Sequence, residues 1–169
     1  MMIYLIGYMG CGKTTIGSLL SSALSLPFTD TDEKIEKENQ QTITELFKKD
    51  GELLFRTLET ELLHKLTNAQ IVACGGGLPI FNNNMDYITK NGKSIYLKAS
   101  ANFLFMRLKN EKKTRPLIKK LDDKQLEKFI HAQLSEREKT YSKATHIVSV
   151  EEKTPAGILG EIHTLLLPC

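Results

Sequence analysis

The stretch Ile3-Tyr4-Leu5-Ile6-Gly7-Tyr8-Met9-Gly10-Cys11-Gly12-Lys13-Thr14-Thr15 decides the fold. Four apolar residues run without a polar interruption, as a strand buried on both faces does, and stop at Gly7. Gly7 to Thr14 satisfies G-x-x-x-x-G-K-[ST], and residues 13–24 place Ile16, Leu19, Leu20 and Ala23 at helical steps. Strand, glycine turn and helix in that order make a phosphate cradle. The glycines let successive backbone N–H groups turn inward around a phosphate chain, and the helix points its positive end at the same oxygens. Lys13 is then set to bridge the β- and γ-phosphates and Thr14 to ligate Mg2+, with Gly10, Cys11, Gly12 and Thr15 completing the nucleotide loop. The ligand implied is ATP or GTP; the absence of an NKxD-like guanine reader and of a DxxG switch in the chain weakens GTP.

Outward from this stretch, short apolar runs recur at 71–74, 95–97 and 147–150, separated by segments of helical period, and Leu26-Pro27-Phe28-Thr29 can serve as a second short strand. That alternation predicts an α/β fold with a parallel sheet. Residues 33–66 read as two or three helices, restarted by a capping box at Thr42 and Glu45 and interrupted by the turn signal Asp50-Gly51. Further helices are expected at about 83–90, 101–109 and 122–143, and a last one opened by Thr154-Pro155. The polar, charged, proline-terminated segment 110–116 predicts an exposed mobile loop.

At 169 residues the chain suits one compact domain, and 41% hydrophobic with 25% charged residues is ordinary for a soluble one. A net charge of +3 is too mild to argue for nucleic acid, so an anionic ligand must be held by local groups. Cys11, Cys74 and Cys169 are odd in number and widely spaced, which implies neither a disulfide framework nor a zinc site. Nothing resembles an export signal, and no apolar run approaches the length of a membrane span.

No hydrophobic run closes in an aspartate at 71–74, where Gly75-Gly76-Gly77 follows instead, so the acidic candidates are Asp30 and Asp32, with Glu151 after the last strand. Asp30-Thr31-Asp32 sets two carboxylates two residues apart, on one side of an extended segment: Asp30 can hold magnesium through water while Asp32 faces a substrate hydroxyl. The same residues also make ordinary helix caps. Arg56 and Glu59 stand three apart on a predicted helix, either as a surface ion pair or with the carboxylate aiming the guanidinium at an acidic ligand. The glycine triplet is either a flexible turn or a place where backbone approaches a ligand.

Taken in order, Gly7 to Thr15, Asp30-Thr31-Asp32, Phe55-Arg56-x-x-Glu59, Gly75-Gly76-Gly77, Arg115-Pro116-Leu117 and Arg137-x-x-x-Tyr141 resemble the shikimate kinase family over nearly the whole chain. The resemblance implies a P-loop fold of the nucleoside monophosphate kinase type, a five-stranded parallel sheet with helices on both faces. It implies one domain over 1–169, with a substrate-binding helical segment at about 32–60 and a lid at about 110–124. The implied reaction passes the γ-phosphate of ATP to the 3-hydroxyl of shikimate, on the route to chorismate and the aromatic amino acids, in a cytoplasmic monomer with no protein partner. In that scheme Lys13, Asp32 and Arg115 are catalytic, Asp32, Arg56, Gly76 and Arg137 bind shikimate, and Thr14 and Asp30 serve the metal.

Three departures stand out against the family pattern. Cys74 precedes the glycine triplet and Cys11 occupies a loop position, both often held by small or hydroxyl residues; Lys153 stands where an arginine often lies near adenine. Lysine lacks the planar guanidinium, so Arg107 is a second candidate for that contact. The competing readings are another small-molecule kinase of the same fold, acting on gluconate or a nucleoside monophosphate, and a non-catalytic nucleotide-binding regulatory module.

Overall fold

The computed structural model describes residues 1–112, 115 and 117–167; Pro116 of the Arg115-Pro116-Leu117 motif and Cys169 lie outside the described residues. Five strands, β1 (Ile3–Ile6), β2 (Phe28–Asp30), β3 (Ile71–Ala73), β4 (Lys93–Lys98) and β5 (His146–Ser149), form one parallel sheet in the order β2-β3-β1-β4-β5. Tyr4 of β1 pairs with Val72 on one side and Ser94 on the other. Every residue of β1 and β3 is buried, the pattern of central parallel strands covered on both faces.

The connections are α1 (Lys13–Leu24), α2 (Thr31–Asn39), α3 (Ile43–Lys65), α4 (Asn84–Asn91), α5 (Ala101–Glu111), α6 (Asp123–Tyr141) and α7 (Pro155–Leu166), which cover both faces of the sheet. Their ends follow the chemistry read from the sequence. Thr42 and Glu45 close a reciprocal capping box at α3, and Thr154 accepts from the Gly157 amide ahead of Pro155. Among the described residues, no helix is long and apolar enough to cross a membrane.

Most boundaries shift by a residue or two, and two of the shifts bear on the site. Asn110 and Glu111, read as loop, complete the last turn of α5, which runs on because nothing before Pro116 forbids a helix. Thr31 and Asp32, read as extended, form the first turn of α2, with the Asp30 carboxylate capping the Asp32 and Glu33 amides.

The chain passes from β1 to β2 on one side of the sheet and crosses to β4 on the other, so β1 lies at the point where strand order reverses. In open α/β sheets ligands gather outside the carboxyl ends of the strands at such a point. Here those ends carry residues 7–12, 30–32 and 74–77.

Candidate active site

Two clefts open side by side at the carboxyl ends of β1, β2 and β3. The first, about 270 Å³, is lined by the glycine loop with Lys13, Thr14, Asp30, Cys74, Arg107 and Arg115. The second, about 310 Å³, is lined by Asp32, Phe47, Phe55, Arg56, Glu59 and Arg137, with Ile43 and Leu117 at its apolar side. Met9, Asp32, Gly76 and Arg115 border both, so the clefts meet at these four residues.

In the first cleft Gly10 and Gly12 take positive φ (81° and 99°), a turn that a side chain would strain. Lys13 Nζ donates to the carbonyls of Gly7 (2.8 Å) and Tyr8 (3.0 Å), arching over the loop it serves. Thr14 Oγ1 donates to Asp30 Oδ2 at 2.7 Å. That pair of hard oxygen donors suits magnesium, which usually takes one or two protein oxygens and completes its shell with phosphate and water. Cys11 and Cys74 are both buried, and burial raises the Cys74 pKa far above the usual thiol range, so Cys74 stays protonated.

The second cleft is organised around buried charge. Arg56 Nη1 donates to Glu59 Oε2 at 2.6 Å, with Glu59 fully buried, and Arg56 Nη2 donates to Glu52 at 2.9 Å. Burial works against the Arg56 charge, but Glu59 and Glu52 outweigh it and raise the guanidinium pKa. Burial pushes Glu59 up to about 7, with Arg56 opposing and Asp32 adding to the rise. Burial and the Asp30 charge push Asp32 up to about 6 against the pull of Lys13 and Arg56.

The glycine triplet explains how these groups fit. A Cβ on Gly75 would lie 2.3 Å from Glu59 Oε1 and 2.5 Å from Asp32 Oδ1, and one on Gly77 would lie 2.4 Å from the Arg56 guanidinium. Neither sequence reading of the triplet named this role: it makes room for the charged side chains around it. Gly75 is itself fixed by a 2.8 Å bond from its amide to the buried Thr31 hydroxyl. The Gly76 carbonyl accepts from the Tyr141 hydroxyl, and a Cβ there would stand 3.5 Å from Arg137 Nη1.

The shikimate kinase family model matches residues 9–166. A shikimate kinase of Flavobacterium psychrophilum is 39% identical over 168 residues, covering 97% of this chain and 98% of that protein. The chain belongs to the shikimate kinase family. The crystal structure of the shikimate kinase from Bacteroides thetaiotaomicron superposes with a TM-score of 0.91 at 34% identity, over 98% of this chain and 97% of that one. The Acinetobacter baumannii shikimate kinase, solved in complex with shikimate, gives 0.89 at 31% identity, over 98% and 92%.

Within this shikimate kinase family member a third cleft, about 330 Å³, continues from the glycine loop. It is lined by Cys11, Thr15, Phe103, Arg107, Lys153 and Pro155. Lys153 pairs with Glu161 at its rim, and Arg107 Nη1 donates to the Gly10 carbonyl (3.2 Å) with its guanidinium over the Phe103 ring. Both candidates for the adenine contact therefore line one cleft.

The expected extended Asp30-Thr31-Asp32 segment is corrected by the start of α2. Asp30 caps the helix through one oxygen and meets Thr14 through the other, while Asp32 rises from the first turn between the two clefts. Other residues of the site escaped the sequence reading. Glu52 on Arg56 and Glu111 on Arg115 (2.8 Å) both stand at i,i+4 spacing, a signal that was available. Phe47 against Phe55, with centroids 5.1 Å apart, had no such signal.

Proposed function

We propose that this chain transfers the γ-phosphate of ATP to the 3-hydroxyl of shikimate. The observation that carries this reading is the meeting of the two clefts at Asp32, Gly76 and Arg115. A triphosphate on the glycine loop and a carboxylated polyol between Arg56 and Arg137 would touch there. Arg56 and Arg137 grip the acceptor carboxylate, and Gly76 offers backbone beside Arg137. The Asp32 carboxylate receives the proton of the attacking hydroxyl, and phosphoryl transfer otherwise asks chiefly for alignment and positive charge. Lys13 in the first cleft and Arg115 at the junction supply that charge, and closure of the lid would exclude water that otherwise takes the phosphoryl group.

Thr14 would ligate magnesium and Asp30 would hold it through water; the ion, when bound, neutralises phosphate charge. The adenine would lie over the third cleft, with Lys153 or Arg107 as its contact. The reading takes 1–169 as one catalytic domain, with residues about 32–60 as the acceptor segment and about 110–124 as the lid. It also takes the protein as a cytoplasmic monomer whose partners are small molecules.

The test is ADP release with shikimate, gluconate, AMP, CMP or no acceptor. Stimulation by shikimate alone is the expected result. Stimulation by gluconate, AMP or CMP would move the protein to a neighbouring kinase specificity, and no ADP release with any acceptor would leave a non-catalytic nucleotide-binding module.

A further inference from the structure

The two arginines facing the acceptor cleft are held in different ways. Arg56 is fixed by two carboxylates, Glu59 and Glu52. Arg137 has no carboxylate at ion-pair distance among the described residues. Its guanidinium instead lies 5.5 Å from the centroid of the Tyr8 ring, within reach of the negative π-face. Tyr8 belongs to the glycine loop, and its ring is almost fully buried. Its hydroxyl donates to Gln133 Oε1 at 3.3 Å, on α6 one turn ahead of Arg137, and its carbonyl accepts from Lys13. The Arg137 guanidinium also acts on the Tyr141 hydroxyl, one turn on, through a side-chain hydrogen bond and its charge, and its charge reaches Glu59 beyond ion-pair distance.

A guanidinium paired to a carboxylate is oriented but shares its charge and some of its donors with that partner. One resting on a ring face is oriented and keeps its hydrogen-bond donors and most of its field for an incoming anion. Holding the side chain in place beforehand also spares the acceptor the entropy of ordering a long side chain.

We propose that Tyr8 is a positioning residue for the acceptor site, its ring face holding the Arg137 guanidinium in the orientation that grips the acceptor carboxylate. This rests on the reading of Arg137 as a carboxylate anchor for shikimate. The glycine loop thus serves both substrates: Lys13 and the backbone toward the nucleotide, the Tyr8 ring toward the acceptor.

Calorimetric titration of shikimate and of ADP–magnesium into the full chain tests it, with Tyr8→Leu, Tyr8→Phe, Arg137→Ala and the Tyr8→Leu/Arg137→Ala double variant. Tyr8→Leu is expected to weaken shikimate about 3- to 30-fold, the range of a cation–π contact, while ADP stays within about twofold. Tyr8→Phe, which keeps the ring, restores shikimate affinity to within about twofold of wild type. In the Arg137→Ala background the leucine change has no further effect. Tyr8→Met, close in volume and without a ring, replaces Tyr8→Leu if that variant does not fold. Three results would overturn the inference: unchanged shikimate affinity in the ringless variant, an equal loss of ADP, or an undiminished effect without Arg137. Wild-type protein that binds no shikimate would overturn the acceptor reading and this inference together, whereas binding lost in Arg137→Ala but intact in Tyr8→Leu overturns this inference alone.

Discussion

Asp32 sits where a charge is costly and where the proposed chemistry needs one. Burial disfavours its charge most, the Asp30 and Glu36 carboxylates add to that, and Lys13 and Arg56 only partly compensate. A carboxyl raised to about 6 is protonated at lower pH, so kcat/KM is expected to fall below about pH 6 as the acceptor of the hydroxyl proton is lost. The stability consequence has the opposite direction. Between the ordinary carboxylate range and about pH 7 the folded protein binds protons at Asp32 and Glu59 that the unfolded chain has released, so these groups lower stability as pH rises. Asp32→Asn should therefore abolish transfer, leave ATP binding largely intact, and raise the melting temperature at pH 8. The rise is about 2–4 °C for roughly 1 kcal/mol after allowance for partial solvation, and it shrinks toward pH 4. Calorimetry at both pH values with a binding titration checks it; a variant less stable at pH 8 would contradict the account. A neighbouring residue tests the packing argument. Gly77→Ala would put a methyl group 2.4 Å from the Arg56 guanidinium, so it should raise KM for shikimate at least tenfold while KM for ATP holds.

The element that shapes the acceptor cleft is α3, and its decisive feature is an interruption. Phe47 and Phe55 are eight residues apart, which a continuous helix would separate by about 12 Å along its axis. Yet their centroids lie 5.1 Å apart. The break at Gly51, with φ 82° and ψ 170°, makes that contact possible and brings both rings to the cleft that Arg56 faces. This conformation is essentially reserved for glycine, and a Cβ there would meet nothing within 4 Å, so the cost of a side chain is confined to the backbone. Gly51→Ala is expected to lose about 1–3 kcal/mol and several degrees in melting temperature. Shikimate affinity should fall more than ATP affinity, because the first cleft contains no residue of α3. Thermal unfolding and separate titrations of the two substrates measure this. Equal loss of both affinities would mean that α3 does not act through the acceptor cleft.

Across the whole molecule, what could be read in the sequence is what is local. β1, the glycine loop and α1 lie within one continuous stretch, and their reading needed only apolar runs, glycine spacing and helical period. The capping chemistry at Thr42 and Thr154 was legible for the same reason. The extended reading of Asp30 to Asp32 failed because the same residues satisfy a helix start, and three residues cannot say which use wins. Tyr8 and Arg137 could not be paired from the sequence at all. A ring in the first loop and a guanidinium on the sixth helix meet only because the sheet order returns α6 beside β1's carboxyl end. That same arrangement couples ligand binding to global stability, since the acceptor would rest on α2, α3, α6 and two loops at once. A ligand at a hundredfold its Kd adds about 2.7 kcal/mol to a fold it binds only when native. For a chain of this size shikimate should then raise the melting temperature by roughly 5–11 °C, and gluconate, at the same concentration, by little. Arg137→Ala should abolish most of the shikimate shift while Asp32→Asn retains much of it, because one removes an anchor for the carboxylate and the other a group needed chiefly for transfer. A shift of equal size from both acids, each a carboxylated polyol, would mean that the cleft reads carboxylate and hydroxyls without selecting the ring.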